Sequence, residues 1–420
     1  MFIVQTKRQT KASGMNYWDN EIMTTLNGYE LKTYLNKKRI IKYLYRQSEM
    51  SGTDISKIFH ISIPTTLTYL KELVEEGFIE SRGKGDSLGG RRPTKYGLKR
   101  NSVYVIGVDI RRKGISLAIF NGNMEKVNGI KLPSVNLNDK TSIVSLITSH
   151  VDQMIQQIGI DYSKVMGVGI NMPGLINSEK GINYTYLYNP DETFTQLFHN
   201  HFKCPVFLEN DTKARTLAEM RYGEAKDSNN ALVLQIDWGL GLGMILNRKL
   251  YKGNSGFAGE FSHIPIDENG VLCNCGKVGC LETIASGNAL VRLTMQGLEV
   301  NKNSKLFPIF NKNREDITTS LIVKMALEGD QFAISMINQV GLSLGKGLSY
   351  LIQILNPELI IISGSLSEAG NYLILSIQQA LQKHCLPKLL EGIKIKISPL
   401  GEDVGVIGSA TVVLESIIES

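Results

Sequence analysis

The sequence predicts an α/β protein in which a small winged helix-turn-helix precedes a larger, two-lobed α/β body. Three observations carry this expectation. Positive charge is concentrated in the first hundred of 420 residues, the same stretch holds three helical patterns followed by a hairpin pattern, and beyond Arg100 strands alternate with helices.

Residues 1–100 contain eighteen Lys and Arg against ten Asp and Glu, a balance of +8, whereas the remaining residues carry 28 against 30. A basic module on a nearly neutral body suits a polyanionic partner, nucleic acid first; the plainer alternative is a solvated basic surface. The opening residues are polar and basic, with Lys7, Arg8 and Lys11, and lack the apolar core of an export signal. Apolar runs such as Leu359 to Ile362 fall far short of the roughly 20 residues of a membrane span. A cytoplasmic protein without membrane insertion is therefore expected.

Residues 1–27 are expected to form a flexible tail. From Leu31 to Arg46, the residues Leu31, Tyr34, Leu35, Ile40, Ile41, Leu44 and Tyr45 recur at helical spacing. Gly52 to Phe59 then reads as a short helix, His60 to Ser62 as a turn, and Ile63 to Glu76 as a third helix with Pro64 in its first turn. With Leu67, Leu70, Leu73 and Val74 taken as the inward face, Thr65, Thr66, Thr68, Tyr69 and Lys71 are left to face a DNA groove. Short hydroxyls and a lysine suit phosphate and base-edge contacts. Phe78 to Ser81 and Thr94 to Leu98 read as the strands of a wing around a loop that ends in Gly89-Gly90-Arg91-Arg92-Pro93. Arg91 and Arg92 are candidates for a minor groove; otherwise this is a loose charged hairpin tip.

The body begins with Val103 to Asp109 and Ile115 to Phe120 as a hairpin, Thr141 to Ile158 as a helix and Met166 to Ile170 as a buried strand. A second cycle runs through Ala231 to Asp237, Gly243 to Leu246 and Leu359 to Ser363. These divide the chain into a winged helix-turn-helix at 28–100, a first lobe at 101–230, a second lobe at 231–404, and a last helix at 405–420 that packs back on the first lobe.

Within the second lobe, His263, Cys273, Cys275 and Cys280 fall within eighteen residues. Three thiolates and one imidazole form the closed tetrahedral set of structural zinc, one ion per chain, with no position left for catalytic water. The alternative is chance clustering of buried thiols or disulfides, and disulfides are rare in reducing compartments.

That segment, together with Asn171-Met172-Pro173-Gly174, Glu209-Asn210-Asp211 and Asn356-Pro357-Glu358, resembles the ROK family of repressors, open-reading-frame proteins and sugar kinases. The resemblance spans essentially the whole chain and implies an actin-like ATPase body of duplicated ribonuclease-H-like lobes. A winged helix at the front marks the family's transcriptional regulators. The resemblance further implies a sugar in the interlobe cleft, with Gly174, Asn210, Asp211, Glu260, His263 and Glu282 around it. Their chemistry suits hydroxyl recognition. If His263 ligates zinc through one ring nitrogen, its other N–H is fixed in direction toward a sugar.

In the family's kinases the residue matching Asp211 is the general base. Their first phosphate loop reads Asp-Ile-Gly-Gly-Thr, whereas here Asp109-Ile110-Arg111-Arg112-Lys113 stands there. Two arginines and a lysine obstruct a turn that glycines would let close on phosphate. The loop Asp237 to Gly243 keeps its glycines, and Ser363-Gly364-Ser365-Leu366 has one. No catalytic residue is therefore expected, and the chain reads as a DNA-binding transcriptional regulator, repressor by resemblance, that senses a sugar or sugar derivative. Its expected partners are operator DNA, that effector and a further copy of itself, in a dimer or larger assembly. The alternatives are an ATP-dependent sugar kinase using Asp211, or a sensor controlled by a protein partner.

Overall fold

The computed structural model describes residues 17–18, 25–47, 49–85 and 92–419. The chain forms two compact units, Met1–Asp211 with Gly405–Ser420, and Thr212–Val404. The first sheet ends at Asn210, so the chain passes into the second unit about twenty residues before the boundary expected at 230. No described helix is long and apolar enough to cross a membrane.

In the first unit, α1 (Gly28–Gln47), α2 (Gly52–Phe59) and α3 (Ile63–Glu75) precede a three-stranded sheet of order β1-β3-β2, built from β1 (Met50–Ser51), β2 (Ile79–Lys84) and β3 (Thr94–Leu98). Each short helix starts where a serine side chain accepts a free N–H: Ser51 from Asp54, and Ser62 from Thr65 with Pro64 following. His60 ends α2 in the left-handed conformation and sets the turn into α3. Ile40, Ile41, Leu44, Ile55, Leu70, Leu73, Ile79 and Leu98 fill the core between them.

The expected tail is corrected at two positions. Tyr17 stacks on Tyr34 at 5.3 Å, meets Phe78 edge-on at 5.1 Å and donates its hydroxyl to Glu76 at 2.6 Å. Trp18 is buried beside it. Two large aromatics that gain this much contact do not stay in water.

Beyond the wing, β4 (Tyr104–Arg111), β5 (Gly114–Asn121), β6 (Lys126–Leu132), β7 (Val165–Met172), β8 (Ile176–Asn177), β9 (Ile182–Asn183) and β10 (Val206–Asn210) follow, with α4 (Lys140–Ile158) and α5 (Phe194–Phe202) among them. The main sheet has the order β10-β7-β4-β5-β6, with β10, β7 and β4 parallel and β4, β5 and β6 antiparallel. Strands β4 and β7 are buried along nearly their whole length and read as continuous apolar runs, as a sheet covered on both faces requires.

The second unit opens with α6, the body of the helix Asp211–Tyr222. Its sheet uses β11 (Ala231–Ile236), β12 (Leu240–Leu246), β13 (Lys249–Leu250), β14 (Leu359–Ser363) and β15 (Lys394–Ile397) in the order β13-β12-β11-β14-β15. Strand directions repeat those of the first sheet, an antiparallel meander followed by two parallel strands. The same topology twice in one chain is the duplicated architecture that the family resemblance implies. Helices α7 (Gln331–Leu355) and α8 (Asn371–His384) pack on this sheet through Ile337, Leu344, Leu348 and Ile377. The last helix, α9 (Val404–Glu419), belongs almost wholly to the first unit, where Val406, Ala410 and Val413 join its core.

Candidate functional site

In the second unit, one ligand atom from each of His263, Cys273, Cys275 and Cys280 lies within 4.8 Å of every other. A small hairpin builds this: Leu272 bridges Val278, Pro265 bridges Cys280, and Cys273 N–H donates to the Lys277 carbonyl at 2.8 Å. The His263 Nδ1 faces Cys273 Sγ at 3.6 Å, and Cys275 Sγ stands 3.5 Å from Cys280 Sγ. Burial, and after it the thiols of Cys275 and Cys273, push the Cys280 thiol up to about 12. Three sulfurs so close ionise together only around a cation, so the donor set fits a metal ion.

The other ring nitrogen of His263, Nε2, lies 4.0 Å from Glu260 Oε2. Metal on Nδ1 would place the proton on Nε2 and direct it at that carboxylate. Glu282 is bound differently, accepting the Leu240 N–H at 3.4 Å beside the turn at Gly239. The glycines of the following strand, β12, serve packing: a Cβ on Gly241 would lie 2.0 Å from Thr212 Oγ1, and one on Gly243 would lie 1.7 Å from Thr216 Oγ1. They admit α6 against β12. Asp237 meanwhile accepts the Ser365 N–H at 2.7 Å. Burial pushes its carboxyl up, but that N–H, the Arg215 charge and the Gln235 amide more than offset it and hold the group below its ordinary range.

In the first unit, Gly174 adopts φ +114°, which an L side chain rarely takes, and its carbonyl accepts the Asn210 amide at 3.2 Å. Asn183, which sequence reasoning does not single out, fixes the preceding residue by donating to the Pro173 carbonyl at 3.0 Å. Asp211 begins the helix that follows Asn210. Thus Gly174, Asn210 and Asp211 belong to one unit, and Glu260, His263 and Glu282 to the other.

The hairpin between β4 and β5 holds a pair that the motif alone did not reveal. Asp109 is 0 % exposed, and Arg111 Nε lies 2.9 Å from its Oδ2 while the same guanidinium donates to Ser116 Oγ at 3.2 Å. Residues two apart in a strand share a face, so the arginine in place of the family's glycine folds onto the carboxylate. Gly405 at the start of α9 closes the other side, since a Cβ there would lie 2.0 Å from Asp109 Oδ2. Any divalent cation at Asp109 would have to displace a guanidinium.

On the winged helix the face of α3 is corrected. Thr66 is 0 % and Tyr69 5 % exposed, so neither can enter a groove, whereas Leu67 at 47 % and Val74 at 41 % face out. The helical period joins Thr66 and Tyr69 to Leu70 and Leu73, and Thr66 Oγ1 bonds back to the Ser62 carbonyl at 3.0 Å. The outward face thus comprises Pro64, Leu67, Thr68 and Lys71, with Thr65 half-exposed at its start. Arg92 is exposed beside β3, while Arg91 and most of the wing loop lie outside the described residues.

Comparison with known proteins accords with the winged helix and with the α/β body. A model described as the ROK family matches residues 105–416, and one described as winged helix-turn-helix DNA-binding matches residues 35–80. The xylose repressor of Caldicellulosiruptor bescii is 28% identical over 406 residues, 94% of this chain and 98% of that protein. A glucokinase of Halalkalibacterium halodurans is 31% identical over 314 residues, 74% of this chain and 94% of its own length. Among solved structures, a transcriptional regulator homologous to the Escherichia coli Mlc protein is similar with a TM-score of 0.75 at 25% identity, over 91% of this chain and 99% of that one.

Proposed function

We propose that this chain, which belongs to the ROK family, is a sequence-specific DNA-binding transcriptional repressor of carbohydrate-metabolism genes whose hold on its operator is altered by a sugar or sugar derivative. The observation that carries this reading is the pairing, in one chain, of a winged helix-turn-helix with a ROK body whose first phosphate hairpin is shut by Arg111 on Asp109. Phosphoryl transfer depends on positioned phosphates and metal, and this hairpin offers a guanidinium in their place. The repressing sign follows relatives named as repressors.

Thr65, Thr68, Lys71 and Arg92 are proposed to meet DNA, joined by Leu67 on the corrected face. Gly174, Asn210, Asp211, Glu260, His263 and Glu282 are proposed to meet the sugar, their amide, carboxylate and backbone groups suiting hydroxyls. A structural zinc held by His263, Cys273, Cys275 and Cys280 would support this role by fixing the imidazole rather than by performing chemistry. Two copies are proposed to read paired half-sites in the cytoplasm, with the sugar favouring one arrangement of the winged helices over another.

The testing experiment is a gel-shift titration of promoter duplexes from the chain's own gene neighbourhood against a sugar panel. Binding should survive excess competitor DNA, weaken with salt and change with one sugar. Binding without sequence preference would refute the proposal.

A further inference from the structure

A helix-turn-helix brings the N-terminal half of its second helix to the base edges of a major groove. In α3 the exposed side chains of that half are Ile63, Pro64, Leu67 and Thr68. Ile63 is 49 % and Leu67 47 % exposed. These two stand four residues apart, as do Pro64 and Thr68, so two neighbouring rows form one patch on the helix surface.

The hydroxyl groups around this patch are turned back on the helix itself. Thr68 Oγ1 donates to the Pro64 carbonyl at 3.1 Å, the Ser62 and Thr65 hydroxyls bond to each other at 2.8 Å, and Ser62 Oγ also accepts the Thr65 N–H at 3.3 Å. The patch therefore presents carbon: two aliphatic side chains, a pyrrolidine ring and the Thr68 methyl group. Leu67 is held in place as well, since its Cδ2 rests against the start of α2, 3.2 Å from where a Cβ on Gly52 would stand.

The rest of the helix offers little else to read bases with. Residues Ile63–Glu75 include no Arg, Asn or Gln, the side chains that recognise guanine and adenine with paired hydrogen bonds. The one lysine, Lys71, lies 3.8 Å from Glu75, and Glu72 pairs with Lys37 at 2.6 Å. A single exposed leucine needs no explanation. Four apolar groups side by side do, on a module whose balance of +8 over residues 1–100 suits DNA. The major-groove edges of the base pairs carry one apolar group, the 5-methyl of thymine.

We infer that α3 reads its operator through thymine methyl groups, with Leu67 as the principal contact and Ile63 and the Thr68 methyl beside it. This rests on the DNA-binding reading above and deepens it by naming the base feature that is recognised.

The experiment starts from duplexes that the full chain enriches from a random library. In one such duplex each thymine is replaced in turn by deoxyuridine, which keeps base pairing and every hydrogen-bonding group and removes only the methyl. At one or more positions in each half-site, affinity should fall about fourfold, the contribution of one methyl-sized apolar group. That ratio should stay constant between about 50 and 200 mM salt while overall affinity drops steeply. Leu67→Ala should bind the thymine and deoxyuridine duplexes equally at one of these positions, and Leu67→Met, which still presents a terminal methyl, should restore the difference. Ile63→Ala, at the exposed first position of the helix, carries the same test where Leu67→Ala disturbs folding. Affinity untouched by deoxyuridine at every position would overturn the inference. So would a deoxyuridine effect that persists in both alanine variants, which would trace it to DNA shape. Either result would leave the DNA-binding reading standing, whereas failure to enrich any sequence would remove both.

Discussion

Replacing Arg111 by alanine removes the guanidinium that pairs at 2.9 Å with the carboxylate of Asp109, a side chain that is 0 % exposed. Breaking a buried ion pair from one side costs about 3–5 kcal/mol. Here the arginine side chain is 36 % exposed, so water replaces part of what is lost, and the start of α9 at Gly405 still faces the carboxylate. A loss of about 2 kcal/mol is therefore expected, which for a unit of this size lowers the melting temperature by roughly 4–8 °C. Urea unfolding of wild type, Asp109→Asn, Arg111→Ala and the double variant closes a mutant cycle. The double variant should be more stable than the two single losses added together, with a coupling of about 1–2 kcal/mol. Strict additivity would refute the claim that Arg111 holds Asp109, and with it the physical reason given for the closed phosphate hairpin.

Three further outcomes are expected. Cys275→Ser should lower metal content from about one zinc per chain to near zero and destabilise the second unit, because binding energy at a structural site is also folding energy; an intact chain without metal would contradict the assignment of His263, Cys273, Cys275 and Cys280. Lys71→Ala should weaken DNA binding and reduce its salt slope by about one while leaving the fold intact, whereas Tyr69→Ala should unfold the winged helix first; equal DNA effects with equal stability would return Tyr69 to the groove. Tyr17→Ala should cost about 3 kcal/mol in unfolding experiments through the lost packing on Tyr34 and Phe78, and a neutral result would place the segment outside the core after all.

Much of this was legible from residue patterns. Helix α2, strand β3 and strand β14 fall at the expected residues because a serine or threonine cap, a proline or a β-branched run marks their limits. The cluster of His263, Cys273, Cys275 and Cys280 is legible because its members lie close in sequence. The face of α3 was misread because leucine and valine were taken as inward by their type, while the helical phase set by Leu70 and Leu73 carries Thr66 and Tyr69 into the core instead. Asn183 and Tyr186 are not legible in the sequence because they act through a backbone carbonyl and a distant arginine, and such contacts leave no spacing pattern. The pairing of Arg111 with Asp109 follows from strand alternation, which puts residues two apart on one face, whereas the sequence motif by itself bears only on the turn. Tyr17 and Trp18 stood in a polar stretch whose composition concealed them.

The most direct test of the whole account follows operator occupancy by fluorescence anisotropy while the sugar panel and magnesium-ATP are added separately and together, with ADP release monitored in the same samples. Sequence-selective binding that one sugar or sugar derivative shifts several-fold, indifference to ATP and no ADP are the expected results. Sugar-dependent ADP release that disappears in Asp211→Asn would contradict it.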